Sequence, residues 1–170
     1  MSSIPNAEDL YQTLLNQLKE QKKISPDFQL AGLASGGAWV AERLAKDLGL
    51  PTHGVINVSF HRDDYAEKGI KALNSSEGMS TKLPFEVEGA HIILVDDVLF
   101  SGRTIRAALD AIGELGRPKS VQLAVLVDRG HRQLPIRADY VGKNIPTSIN
   151  ESVKVHLSEY DEEDLVELIK

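Results

Sequence analysis

Two adjacent carboxylates, Asp96 and Asp97, stand directly after the apolar run Ile92-Ile93-Leu94-Val95 and shortly before Ser101-Gly102-Arg103-Thr104. Gly102 lets backbone approach a ligand closely, and the N–H groups and positive dipole end of a helix opening there favour a phosphate. The hydroxyls of Ser101 and Thr104 add two donors. Neighbouring carboxylates cannot themselves hold a phosphate. They suit the paired hydroxyls of a ribose, or a hydrated Mg²⁺ riding on a pyrophosphate. The run from Asp96 to Thr104 therefore reads as a loop for both ends of a ribose 5-phosphate. Any one of these residues also fits an Asp-rich turn or an ordinary Ser/Thr helix cap; the whole combination, placed straight after a strand, points to a ligand. Neither Gly-x-x-x-x-Gly-Lys-Ser/Thr nor Gly-x-Gly-x-x-Gly after a strand occurs, which sets aside those nucleotide motifs.

Such a loop needs a rigid edge to project from. Leu10, Leu14, Leu15 and Leu18 share one face of an opening helix that Asn6 and Asp9 can cap. Gln29–Ala34 reads as a buried strand, followed by Ser35-Gly36-Gly37. A helix carrying Val40, Ala41, Leu44 and Leu48 comes next, ended by Gly49 and Pro51. Val55–Phe60, Ile92–Val95 and Val121–Val127 are further strands, and Ile105, Ala108, Leu109, Ile112 and Leu115 mark a helix between the last two. The tail is expected to hold a strand at Val153–Leu157 and a short acidic helix from Asp161 to Ile169. Strand, loop and helix alternate, so the fold class is α/β, with a mostly parallel central sheet flanked by helices. Ligands sit beyond the C-terminal ends of such strands, which here directs attention to loops starting at Ser35, Asp96 and Asp128. Between His61 and Gly89 the apolar periodicity vanishes, so 61–89 is expected to be a flexible active-site loop.

The chain has 170 residues, 42% hydrophobic and 26% charged, which fits a single domain over 1–170. It has no cysteine, so thiolate metal sites and disulfides play no part. The first residues lack the basic and apolar regions of a signal peptide, and no apolar run approaches the roughly 20 residues that span a bilayer. A cytoplasmic protein without membrane association is expected. The net charge of −6 provides no general attraction for nucleic acid.

Ile92 to Thr104 resembles the phosphoribosyl-pyrophosphate loop of type I phosphoribosyltransferases. Val121 to Ser148, with Val127-Asp128-Arg129-Gly130-His131-Arg132 at its centre, closely resembles the pyrimidine-operon regulatory family, PyrR, whose members are also uracil phosphoribosyltransferases. Phe60-His61-Arg62-Asp63-Asp64 is similar to the segment before that family's active-site loop. The resemblance implies the type I phosphoribosyltransferase fold with a small hood. It implies transfer of uracil onto 5-phosphoribosyl pyrophosphate to give UMP and pyrophosphate, with Mg²⁺ carried by the pyrophosphate and no metal held by the protein. It also implies regulation of pyrimidine biosynthesis genes, UMP or UTP as ligands, and a homo-oligomer.

Carried over by residue, Asp96 and Asp97 would bind the ribose hydroxyls. Val98, Leu99, Phe100, Ser101, Gly102, Arg103 and Thr104 would wrap the 5-phosphate. Arg62 would reach the pyrophosphate on loop closure, which excludes water from an oxocarbenium-like ribose. Arg129 would lie by pyrophosphate and base, and Val141 would touch the pyrimidine through backbone groups. In the resembling purine enzymes an acidic residue faces the base where this chain has Phe100, so a pyrimidine is expected. His131 is expected to be a solvated loop histidine.

Two positions depart from the pattern. Ser35-Gly36-Gly37 stands where the family carries Thr-Arg-Gly, so pyrophosphate would be held by backbone N–H groups, with Ser35 and Gly36 in contact. Catalysis is then expected to be weak and Gly36→Arg to raise it; a UMP/UTP-sensing regulator is the alternative reading. The first helix also lacks the arginines of RNA-binding members, exposing Gln12, Thr13, Asn16 and Gln17 instead. RNA is therefore expected to bind weakly or not at all, through whatever patch Lys19, Lys22, Lys23, Arg43 and Lys46 can form.

Overall fold

A computed structural model describes residues 6–58, 80–156 and 165–169. The first helix, α1 (Ala7–Ile24), starts at Asn6, whose Oδ1 accepts the Glu8 N–H at 2.7 Å; Asn6 is the N-cap foreseen from the sequence. Its leucines and Tyr11 are buried. Strand β1 (Gln29–Leu33) leads through a cis Ala34–Ser35 peptide into α2 (Gly36–Leu48), which ends on Gly49 in the left-handed conformation. Then follow β2 (Gly54–Ile56), β3 (His91–Leu99), α3 (Arg103–Leu115), β4 (Ser120–Asp128) and β5 (Tyr140–Asn144).

The five strands pair in parallel in the order β2-β1-β3-β4-β5. Burial on both faces explains why β3 and β4 are nearly continuous runs of apolar residues. Ile93, Val95, Ala124 and Leu126 face α1 and α2; Ile92, Leu94, Leu123 and Val125 face α3. The expected α/β architecture is thus present. Among the described residues no helix is long and apolar enough to cross a membrane.

Three expectations need correction. The acidic helix expected over 161–169 is instead a strand where it is described: β7 (Leu165–Ile169) pairs antiparallel with β6 (Ser152–His156). The register sets Val155 beside Val166, and both enter the core under α1, so tertiary burial overrides the acidic composition. Of the segment 61–89, residues 80–89 are fixed to the sheet: Lys82 exchanges both backbone hydrogen bonds with Val55, each at 2.8 Å, and Val87 is buried. Gln17, expected on the exposed face of α1, is half-buried and reaches β5. Its Nε2 donates to the Val141 carbonyl at 2.8 Å, and its Oε1 accepts the Val141 N–H at 3.1 Å. Gly142 allows this approach, since a Cβ there would lie 3.0 Å from the Leu10 carbonyl oxygen.

Tyr11 donates its hydroxyl to Asp47 Oδ2 at 2.5 Å, and the Arg43 guanidinium lies 5.1 Å from its ring centroid. Burial, together with that bond and the Asp47 charge, pushes the phenol far above its ordinary value, against a smaller opposing pull from Arg43. A phenol kept neutral when folded but free to ionise when unfolded stabilises the fold fully below pH 10, and this contribution is lost as pH rises beyond it. In urea titrations above pH 10 the wild type should lose stability more steeply than Tyr11→Phe. Identical pH slopes would show that Tyr11 carries no such linkage.

Candidate active site at the β1–β3 switch point

In the strand order β2-β1-β3-β4-β5, the connections leaving β1 and β3 diverge to opposite faces of the sheet. A crevice opens between them at the C-terminal edge, the usual ligand position in such sheets. Both loops singled out by sequence meet there.

Their meeting is close because of glycines. A Cβ on Gly37 would come 2.3 Å from the Val95 carbonyl oxygen and 2.9 Å from Asp96 Cα, and one on Gly36 would come 2.2 Å from Asp97 Oδ2. The backbone that opens α2 therefore lies directly against the carboxylate pair. Asp96 is 4% exposed, and its Oδ1 accepts the Asp97 N–H at 2.9 Å. Asp97 is half-buried; its Oδ1 accepts the Val98 N–H at 2.8 Å, while Oδ2 faces Gly36. An arginine introduced at Gly36 would have to displace that carboxylate, which removes the simple case for a gain from Gly36→Arg.

Beyond Leu99 the chain turns through Phe100 and Ser101 to Gly102, the N-cap of α3, at φ 96°. Glycine adopts this left-handed angle without strain, and a Cβ there would also crowd Ile136 at 3.0 Å. Ser101 is buried, with Oγ 3.2 Å from the Arg103 N–H. Thr104 is half-buried in the first turn of α3, and Arg103 is exposed, donating from Nε to Gln133 at 2.7 Å. Main-chain groups at a helix start lack intrahelical acceptors, so this turn can take an anion.

The loop after β4 forms the far wall. Arg129, expected beside pyrophosphate, is buried. Its guanidinium stacks 4.1 Å from the Phe100 ring centroid and donates to Thr147 Oγ1 at 3.2 Å, to the Ser148 carbonyl and to the Glu151 carbonyl. It braces the 147–151 segment against Phe100. His131, expected to be solvated, is half-buried with φ 64°; its Nε2 lies 2.5 Å from the Thr147 carbonyl oxygen, and its ring meets Phe100 edge-on at 6.3 Å. Val141, expected to offer backbone groups to a base, has both of them bonded to Gln17. It lies beside Val125, three positions before Asp128 closes β4. Arg62 lies outside the described residues. Sequence reasoning passed over Arg132, which bonds to Asp128, Phe100 and Ile136.

Of the lysines and arginines expected to form a nucleic-acid patch, Arg43 stacks on Tyr11 and faces Glu8 at 3.7 Å. Lys22 Nζ donates to the Leu48 carbonyl, and Lys23 pairs with Glu20 at 3.0 Å. Lys19, Lys22 and Lys23 line one hollow, shared with Glu20 and Asp47.

Residues 2–160 match the family model described as phosphoribosyl transferase domain. A bifunctional protein PyrR of Ralstonia nicotianae is 54% identical over 150 residues, 87% of this chain and 84% of that protein. A PyrR of Thermus aquaticus is 44% identical over 98% of this chain and 94% of that protein. Among solved structures, the hypoxanthine phosphoribosyltransferase of Trypanosoma cruzi superposes with a TM-score of 0.67 at 20% identity, covering 100% of this chain and 97% of that one. That likeness is one of fold.

The two glycines should behave differently. Gly37→Ala forces backbone apart at Val95 and should lower stability by about 1–3 kcal/mol. Gly36→Ala meets only the Asp97 carboxylate and should cost less. Urea denaturation of both variants checks this; equal stabilities would mean that the two loops part freely.

Proposed function

Since the chain belongs to the phosphoribosyltransferase domain family and, within it, to the PyrR proteins, we propose that it joins uracil to 5-phosphoribosyl pyrophosphate, releasing pyrophosphate and forming UMP. The observation that carries this reading is the carboxylate pair Asp96–Asp97 and the Phe100–Thr104 turn, set together at the β1–β3 switch point. Asp96 and Asp97 bind the ribose hydroxyls. Their charge also favours the cationic character that C1 of the ribose gains as pyrophosphate leaves. The turn from Val98 to Thr104 holds the 5-phosphate, and main-chain N–H groups at Ser35 and Gly36 face the pyrophosphate, joined by Arg62. Mg²⁺ enters with that pyrophosphate as part of the substrate.

Phe100 supports a pyrimidine. Its ring is already packed against Arg129 and His131 and has no group to accept a proton from a base. Arg129 and Val141 take supporting positions, for their hydrogen-bonding groups face other parts of the chain. The companion role is regulation of pyrimidine genes with UMP or UTP as the signal. Direct attachment to RNA has thin support, because Arg43, Lys22 and Lys23 are engaged within the fold.

The test is to mix the protein with labelled uracil, 5-phosphoribosyl pyrophosphate and Mg²⁺. UMP should form, and hypoxanthine and guanine should react more slowly. Faster use of a purine would reverse the assignment of the base. In calorimetry, Asp97→Asn and Thr104→Val should each weaken UMP by about 1.5–3 kcal/mol, the worth of a hydrogen bond to a charged group. Unaltered affinity in both would take the loop out of the site. A pyrimidine-leader RNA hairpin should bind weakly at physiological salt, and tight, UMP-enhanced gel shifts would restore RNA as the regulatory target.

A further inference from the structure

A loop binds phosphate through its N–H groups only if its carbonyls are turned elsewhere. Four successive carbonyls do this here. Leu99 accepts from the Arg129 N–H at 3.0 Å, Ser101 from the Gln133 and Leu134 N–H groups at 2.9 and 3.1 Å, and Gly102 from the Arg106 N–H at 3.0 Å. The partner of the Phe100 carbonyl is instead a side chain, Arg132 Nη1, at 2.6 Å. The same guanidinium donates from Nε to the Ile136 carbonyl at 2.7 Å and from Nη2 to Asp128 Oδ2 at 2.5 Å. Asp128 is anchored in turn, its Oδ1 accepting the Gly130 N–H at 3.0 Å. In a planar trans peptide the C=O and the following N–H point opposite ways. Holding the Phe100 carbonyl toward Arg132 thus aims the Ser101 N–H away from the 129–136 loop.

We propose that Arg132, oriented by Asp128, is a positioning residue for the 5-phosphate loop, setting the Phe100–Ser101 peptide without touching substrate. The inference rests on the ribose 5-phosphate reading of that loop. Its chemistry requires the planar fork of arginine, since one guanidinium serves three acceptors lying in different directions. Lysine keeps the charge and cannot reproduce that arrangement.

Calorimetry of Arg132→Lys and Arg132→Gln with UMP and with uridine tests it, with a urea denaturation midpoint for each variant. UMP should weaken about ten-fold in both, the loss of a charge-assisted hydrogen bond's orienting effect, whereas uridine, which lacks the phosphate, should bind as in the wild type. Undiminished UMP affinity in Arg132→Lys would overturn the proposal by showing that charge suffices. Equal weakening of UMP and uridine would overturn it as well, since a general loss of structure spares neither ligand. Should these variants fail to fold, Asp128→Asn retains Arg132 and is expected to weaken UMP to a lesser degree, again sparing uridine; undiminished UMP affinity there would sink the idea. A wild type that binds neither UMP nor 5-phosphoribosyl pyrophosphate would remove the parent reading before any variant is compared.

Discussion

The N–H of Arg129 donates to the Leu99 carbonyl at 3.0 Å, one rung beyond the Leu99–Asp128 register that closes the β3–β4 ladder. This single extension keeps the two loops parallel after their strands have ended. Gln133 and Leu134 can then reach Ser101, the Arg129 side chain can lie over Phe100, and Ile136 can pack against Gly102. Without it the turn into α3 would be an isolated surface loop. With it, the turn has a backing as rigid as the sheet.

The opposite wall is set by exclusion of side chains. Gly32, Gly36 and Gly37 bring the β1–α2 connection into van der Waals contact with itself and with β3. The carboxylate of Asp96 is thereby shielded from water. Burying a carboxylate costs several kcal/mol unless donors surround it, and the Asp97 N–H is one that the backbone supplies. Asp97, half-exposed beside it, is the one of the pair with an oxygen turned toward the crevice. Adjacent acidic residues in sequence thus have unequal surroundings, one structural and shielded, the other open to a ligand.

Much of this was legible in the sequence. The apolar runs at Ile92–Val95 and Val121–Val127 announced buried parallel strands, and Asp96 to Thr104 announced the loop, because these are local patterns with local causes. What stayed hidden depended on distant partners. Tyr140–Asn144 has neither apolar alternation nor β-branched density beyond Val141, and becomes a strand because β4 and α1 enclose it. Leu165–Ile169 is a strand because Val155 lies opposite. Arg129 and Arg132 stand three apart in one loop and were indistinguishable as sequence, yet the first braces Phe100 and the 147–151 segment while the second addresses the Phe100 carbonyl. Gln17 looked like a solvated helix residue, since nothing near it in the chain names its partner.

That last contact joins residues 124 positions apart. A ribosome delivers α1 first and β5 long afterwards, so the leucine face of α1 has no sheet to cover until most of the polypeptide exists. Folding is therefore strongly non-local, and such topologies are slow because the closure of long loops precedes the contacts that reward it. During that interval the nascent chain displays Leu10, Leu14, Leu15 and Leu18 to its surroundings. The helix that finishes the edge of the sheet is thus also the segment most exposed to holdase chaperones during synthesis, and the Gln17 amide marks the moment at which that exposure ends.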